Sequence, residues 1–251
     1  MRHSDNPAPV RIMHQNLPLI FSAQAFLLPI LKEPGYSSGF FVNQVRRRLS
    51  SARKIKRFKI GHAGTLDPFA TGVLLLLGGG ATKLQDTFMT MPKTYEATIR
   101  LGATSPSLDP DTEVTPHEPY APNIAELQRV LAGFCGEIEQ IPPAWSAKHV
   151  DGKRAYALAR AGREVVLDPV RVRVDELVLL GVEGADVRVR VTSGSGFYVR
   201  ALARDVAAAL GTVGYLTQLA RVHASGFALE ECLTLREVLD GNSAPARRQE
   251  P

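Results

Sequence analysis

Apolar and polar positions along this chain follow two periods, and the periods predict its elements. In "GFFVNQVRRRLSS", Phe41, Val45 and Leu49 recur at i, i+4 and i+8. That spacing puts one apolar face on a helix, with Ser38 placed to cap it. Arg46, Arg47 and Arg48 cover much of the rest of its surface. "VLLLL", Val73 to Leu77, is apolar without alternation and closes on three glycines, the pattern of a buried strand. "TYEATIRL" alternates, with Tyr95, Ala97, Ile99 and Leu101 on one face and Glu96, Thr98 and Arg100 on the other. "VRVRVDELVLL" and "ADVRVRVT" predict two further strands. "PNIAELQRVLAGF" predicts a helix with Ile124, Leu127 and Leu131 inward and Gly133 near its end. "YVRALARDVAAALG" predicts another, with Val199, Leu202, Val206 and Leu210 on one side and Gly211 as its stop. Helices and strands do not alternate regularly, so the pattern predicts an α+β fold with a mostly antiparallel sheet.

The segments between these elements set the organisation. Residues 1–16 are polar and aperiodic and read as a flexible tail. "GATSPSLDPDTEVTPHEPYAP" reads as a long loop, and loops of that length inside a domain are uncommon and often functional. The 251 residues suit one large domain or two small ones. One folded domain is expected over 17–240, followed by a second tail over 241–251. "LPLIFSAQAFLLPIL" is broken by two prolines, too short to span a bilayer and unlike a signal peptide. The expected location is therefore the cytoplasm, with no membrane contact. Cys135 and Cys232 are far apart and unpatterned, which suits a reducing compartment. The six histidines show no metal-ligand spacing, so no metal is expected.

Net charge, +5, is a modest basic excess, but its distribution changes the picture. Between Glu33 and Asp86 the one acid is Asp67, while eight Lys or Arg run from Arg46 to Lys59. Ordinary surfaces mix both signs, and clustered cations favour polyanions. Arg46, Arg47, Arg53, Lys54, Lys56, Arg57 and Lys59 are candidate RNA contacts on this ground. Asp67 precedes Pro68, a frequent turn opener, and a plain turn is one reading. The other is a carboxylate that the positive field keeps charged, suited to act as nucleophile or proton acceptor. The glycines of "GGGATK" and "SGSGFYVR" lack the spacing of a phosphate loop or a dinucleotide fingerprint and read as turns and close backbone approaches. His62 reads as a polar contact on a tight loop, or as a group that touches phosphate or stacks on a base. Tyr95 by itself reads as a half-buried strand residue, and Arg200 as part of a solvated helix face.

"GHAGTLDPFATGVLLLLGGGATK" closely resembles the catalytic motif of the bacterial tRNA pseudouridine-55 synthases, the TruB family. "KTYEATIRLG", "IPPAWSAKHVDGKRAYALARAG", "GFYVRALARDVAAALG" and "GYLTQLARVHASGF" resemble later family segments in the same order, so the resemblance runs from about Lys32 to Leu235. It implies the pseudouridine-synthase fold, with a central RNA-binding cleft, and isomerisation of uridine to pseudouridine at position 55 in the T loop of tRNA. It implies base flipping, no cofactor and the tRNA T stem-loop as substrate; a monomer with no obligate protein partner is expected. Asp67 would be the catalytic aspartate and His62 would help hold the flipped region. Tyr95 would lie against the target base. Tyr198 and Arg200 would complete the pocket, with Arg200 pairing Asp67, and Leu219 would supply apolar cover. Lys32 in "KEPG" falls where the family has a lysine and joins the RNA contacts.

The chain also departs from the family pattern. "ATSPSLDPDTE" replaces the usual Thr-Asp-Thr and Asp-x-x-Gly region, Phe197 stands where Thr is frequent, and of two usual arginines Arg221 is left. Many members carry a C-terminal RNA-binding PUA domain. Only "REVLDGNSAPARRQEP" follows Leu235, so a short form lacking that domain is expected, with RNA gripped by the Arg46–Lys59 cluster. Two other readings stay open: a non-catalytic tRNA-binding or tRNA-folding module of the same fold, and a synthase acting on another RNA.

Overall fold

The structure, a computed structural model, describes residues 8–146, 148–150 and 152–241. The described chain divides into two compact units, one running up to Met91 and resuming at Arg221, the other spanning Pro92–Ala220. The first unit begins with β1 (Val10–Arg11), a 3-10 helix (His14–Phe21), β2 (Ala25–Lys32), α1 (Ser38–Ala52), β3 (Ile60–His62), β4 (Thr71–Gly79), a second 3-10 helix (Gly80–Leu84) and α2 (Gln85–Thr90). The second contains β5 (Lys93–Leu101), β6 (Ala103–Thr104), β7 (Thr115–Pro116), α3 (Ile124–Ala132), β8 (Gly136–Gln140), β9 (His149–Val150), β10 (Lys153–Arg154), α4 (Ala155–Arg160), β11 (Val170–Glu183), β12 (Asp186–Ser193) and α5 (Val199–Ala209). Strand β13 (Gly214–Ala224) carries the chain back into the first unit, which closes with β14 (Phe227–Ala228), a short 3-10 turn (Leu229–Glu231) and α6 (Leu235–Asp240).

In the first unit β2 and β4 pair antiparallel from Ala25 opposite Gly79 to Lys32 opposite Gly72. Both strands are buried on both faces. Phe26, Leu28, Ile30, Leu74 and Leu76 pack with Phe41, Val42, Val45 and Leu49 of α1 and Val238 of α6. Ala25, Leu27, Val73, Leu75 and Leu77 pack on the other side with Ala63, Ala81, Phe227 and Cys232. Double burial is why "VLLLL" shows no alternation. Each large side chain removed from water there contributes roughly 2–3 kcal/mol. Gly78 is part of the same packing. A Cβ on it would enter the Phe26 ring, which stacks on Phe58 with centroids 5.8 Å apart.

In the second unit the strand order β5-β12-β11-β8 is antiparallel throughout. The predicted alternation of β5 holds, with Ala97, Ile99 and Leu101 buried. On the opposite face cross-strand ion pairs join Arg100 to Asp186 and Arg190 to Glu96, the latter at 2.6 Å. α3 and α5 bury the predicted faces, Leu127 and Leu131 on one and Val199, Leu202 and Val206 on the other.

Three expectations need correction. The tail expected over 1–16 does not extend through residues 8–16. Val10–Arg11 pair parallel with Phe26–Leu27, Ile12 donates its N–H to the Leu27 carbonyl at 2.8 Å, and Ile12 is fully buried. Val10 and Ile12 have strand spacing, but the run is too short to register as periodicity. Residues 1–7 and 242–251 lie outside the described residues, and Gly241, at φ 72°, ends α6. The cap of α1 is Ser37, whose hydroxyl accepts from the Phe40 N–H at 3.3 Å, while Ser38 turns inward and is buried. The long loop after β5 is not structureless, because β6 and β7 pair within it at Ala103–Pro116 and Thr104–Thr115.

Candidate active site

Asp67 sits half-buried on the loop between β3 and β4, and three buried polar side chains hold that loop. From β13, the guanidinium of Arg221 donates to the carbonyls of Val73 at 2.8 Å and Gly64 at 3.1 Å, with a longer contact to Thr65 at 3.5 Å. From the start of α1, the Ser38 hydroxyl donates to the Leu66 carbonyl at 3.2 Å and accepts from the Leu66 N–H at 2.9 Å. From the end of β2, the Lys32 ammonium donates to the carbonyls of Pro68 at 2.9 Å and Ala70 at 2.6 Å. The Gly35 N–H adds a bond to Pro68 at 2.8 Å. The backbone is thus fixed on both sides of Asp67, and carbonyl dipoles solvate the two buried cations that water cannot reach. Gly72 admits Arg221 to this position. At φ 117°, a Cβ there would lie 2.6 Å from the Arg221 nitrogen.

Lys32 is therefore not available to RNA. Its side chain is 0% exposed, and its ammonium serves the loop. The cation cluster divides in the same way. Arg53 donates to the carbonyls of Ile20 at 2.5 Å and Ala23 at 2.7 Å and lies over the Phe58 ring, so it braces the fold rather than presenting its charge. Arg46 is partly engaged, with Asn43 at 2.5 Å and the Ile60 carbonyl at 3.1 Å. Arg47, Lys54, Lys56, Arg57 and Lys59 are exposed. Arg46, Arg47, Ser50, Lys56 and Arg57 line an open depression of about 420 Å³. Burial and, after it, the charge of Arg57 lower the Arg46 pKa.

His62 lies on β3, and its Nδ1 is buried with no hydrogen-bond partner among the described residues. Burial, then the Arg221 charge, lowers its pKa, and a backbone hydrogen bond with Gly64 opposes them in part. The imidazole is therefore neutral at pH 7. A neutral ring favours stacking over ion pairing with phosphate.

The remaining candidates belong to the second unit. Tyr95 is half-buried in β5, opposite Val191. Arg200, in the first turn of α5, is not on a solvated face. It is 4% exposed and donates to the carbonyls of Ser107 at 2.9 Å and Trp145 at 3.0 Å. It also pairs with Asp109 at 3.3 Å. The Tyr198 backbone is held by Gln140, whose side chain accepts from its N–H at 2.8 Å and donates to its carbonyl at 3.2 Å. Leu219 is buried on β13.

Ser38, Asp109, Gln140 and the bracing role of Arg221 were not visible in the sequence pattern. Asp109 organises the departing loop, accepting from the Ser107 hydroxyl at 2.5 Å and the Asp111 N–H at 3.0 Å. An Asp followed by Pro in a Ser-rich loop signals a turn, and nothing local signals its burial. Among the described residues no three His, Cys, Asp or Glu side chains cluster to hold a metal ion, and no helix is long and apolar enough to cross a membrane.

The family model described as TruB family pseudouridylate synthase (N terminal domain) matches residues 47–199. The chain belongs to the TruB family. A protein of Bacteroides fragilis named tRNA pseudouridine synthase B is 45% identical over 203 residues, 80% of this chain and 87% of that one. One of the same name from Mycobacteroides abscessus is 40% identical over 226 residues, 87% of this chain and 74% of that one. Among solved structures, a chain from a crystal structure of a Cbf5-Nop10-Gar1 complex matches with a TM-score of 0.67 at 24% identity, covering 94% of this chain and 59% of its own. That likeness bears on the fold alone. The α+β pseudouridine-synthase fold implied by the TruB motifs is borne out.

Proposed function

We propose that this protein isomerises uridine to pseudouridine at position 55 in the T loop of tRNA. Its membership of the TruB family, and relatives named tRNA pseudouridine synthase B, support that activity and that substrate. The observation that carries the assignment to a residue is the Asp67 loop: one carboxylate on an otherwise acid-free, cation-rich stretch, its backbone held on both sides by buried side chains. A group so fixed needs no reorganisation at the moment of reaction.

The reaction breaks the N-glycosidic bond, turns the base and joins C5 to the sugar. The C5 proton leaves and N1 gains one, so atoms balance without a redox step or an added group. Asp67 attacks the sugar or the base, or removes a sugar proton; all three routes use the same fixed carboxylate. Tyr95 packs on the base and assists proton removal at C5, and Arg200 is the cation of the catalytic set. Tyr198 and Leu219 frame the base. Flipping it costs roughly a few kcal/mol, which stacking on the neutral His62 ring and phosphate contacts offset. The phosphate contacts come from Arg46, Arg47, Lys54, Lys56, Arg57 and Lys59. The protein acts in the cytoplasm as a monomer on the T stem-loop.

The test assays the unaltered protein and Asp67→Asn side by side for pseudouridine in T stem-loop RNA, mapped by position, and for RNA binding. Lost turnover with retained binding is expected of the variant. Normal turnover by the variant overturns the role of Asp67, and product of the unaltered protein at another uridine but not at 55 overturns the position.

A further inference from the structure

Tyr36, in the turn between β2 and α1, is 47% exposed. Its place is fixed from both sides. The Gly35 N–H bonds the carbonyl of Pro68 at 2.8 Å, one residue after Asp67. Ser38, two residues beyond Tyr36, holds both backbone groups of Leu66, one residue before Asp67. The segment 35–38 thus runs beside the segment 66–68, with Tyr36 and Asp67 each between the tied positions.

The Tyr36 ring is also backed by other rings. It stacks on Phe40 with centroids 4.6 Å apart and planes 20° apart. Both rings meet Phe41 edge-on, at 6.3 Å for Tyr36 and 5.6 Å for Phe40. Phe41 is fully buried in the core of the first unit. The Tyr36 hydroxyl makes no hydrogen bond among the described residues, so polar anchoring does not account for the ring's position. The result is a large aromatic surface, ordered before any ligand arrives, beside the loop that carries Asp67.

We propose that the Tyr36 ring, backed by Phe40, is a stacking platform for an unpaired RNA base next to the target uridine. It rests on the function proposed above and extends it to a nucleotide that is not itself modified. Aromatic rings bind splayed-out bases of single-stranded loops, and do so with little sequence preference because every base has a π face. The occupant is RNA rather than an apolar protein segment because the chain from Pro34 to Gln85 holds no acid but Asp67 and carries the Arg46–Lys59 cations. A base seated there would help hold the loop open after the target is flipped.

The test uses the full chain in an Asp67→Asn background, so that RNA is bound but not converted. Affinity for T stem-loop RNA is measured for that protein and with Tyr36→Leu or Tyr36→Phe added. Leucine keeps apolar area but loses the π face. It should weaken binding roughly five- to hundredfold, the range for loss of one stacked base, while Tyr36→Phe binds as before. The RNA is then scanned with abasic nucleotides. One loop position flanking the target should cost affinity with Tyr36 present and nothing with leucine there. Equal binding by Tyr36→Leu, or abasic costs identical in both proteins, overturns the platform. Tyr36→Trp gives an independent reading, since its fluorescence should be quenched by RNA beyond any change from Trp145, and no added quenching also overturns it. The protein with Asp67 and Tyr36 intact is assayed alongside for pseudouridine at position 55. Its failure there overturns the proposed function, while the abasic coupling still decides whether Tyr36 stacks a base.

Discussion

Ser38 holds both backbone groups of Leu66, donating to its carbonyl at 3.2 Å and accepting from its N–H at 2.9 Å. One buried hydroxyl thereby sets the peptide that enters Asp67. Ser38→Ala leaves two buried backbone groups without that partner, at about 1–3 kcal/mol each when unsatisfied. The expected outcome is a lower melting temperature and a single-turnover rate reduced more than tenfold, with RNA affinity retained. Ser38→Thr, which keeps the hydroxyl, should recover part of the rate. A rate that falls only in step with affinity would mean that the bond shapes binding, not chemistry.

Asp109 and Arg200 form an ion pair at 3.3 Å with both side chains about 95% buried. Asp109→Asn keeps the shape and removes the charge, leaving Arg200 its carbonyl partners but a poorer charge balance. Breaking buried pairs destabilises by about 3 kcal/mol. A urea midpoint well below that of the unaltered protein is expected, and an unchanged midpoint would show that the Asp109 charge does not stabilise the fold.

His62 makes stability depend on pH. Its folded pKa is below the ordinary value, chiefly through burial, so the unfolded chain takes up this proton at a higher pH than the folded one. Stability from this group is present above about pH 6.5 and is lost as pH falls towards the folded pKa. The melting temperature should drop more steeply between pH 7 and 5.5 for the unaltered protein than for His62→Gln. Parallel curves would show that another group dominates the acid limb.

The two free thiols differ in reactivity. Cys135 is exposed, whereas Cys232 is buried and its pKa is pushed up to about 12, first by burial and then by Glu231 and Glu230. The thiolate is the reactive form. Iodoacetamide at pH 8 should label Cys135 in the native protein and Cys232 only after unfolding, as peptide mass spectrometry would show.

Much of the fold was legible because periodicity reports which face of an element is buried. The α1 stripe of Phe41, Val45 and Leu49, the alternation of β5 and the unbroken run of β4 all reflect burial within one element. Positions of mixed chemistry were not legible in this way. Lys32 and Arg53 look like surface cations in the sequence, but one is fully buried and the other is bound to carbonyls 30 and 33 residues away. Ser38 looks like a cap, yet its partner is 28 residues on.

By itself, then, the sequence determined the α+β class, most of the longer helices and strands, the TruB motifs and the isolation of Asp67 among cations. The tertiary structure alone decided which cations are turned inward, what holds the Asp67 loop, and that Tyr36 stands exposed on a stack of rings. The physical reason is separation along the chain. Arg221 reaches Val73 across 148 residues and Lys32 reaches Ala70 across 38, and a hydrogen bond between distant residues leaves no periodic trace in either segment.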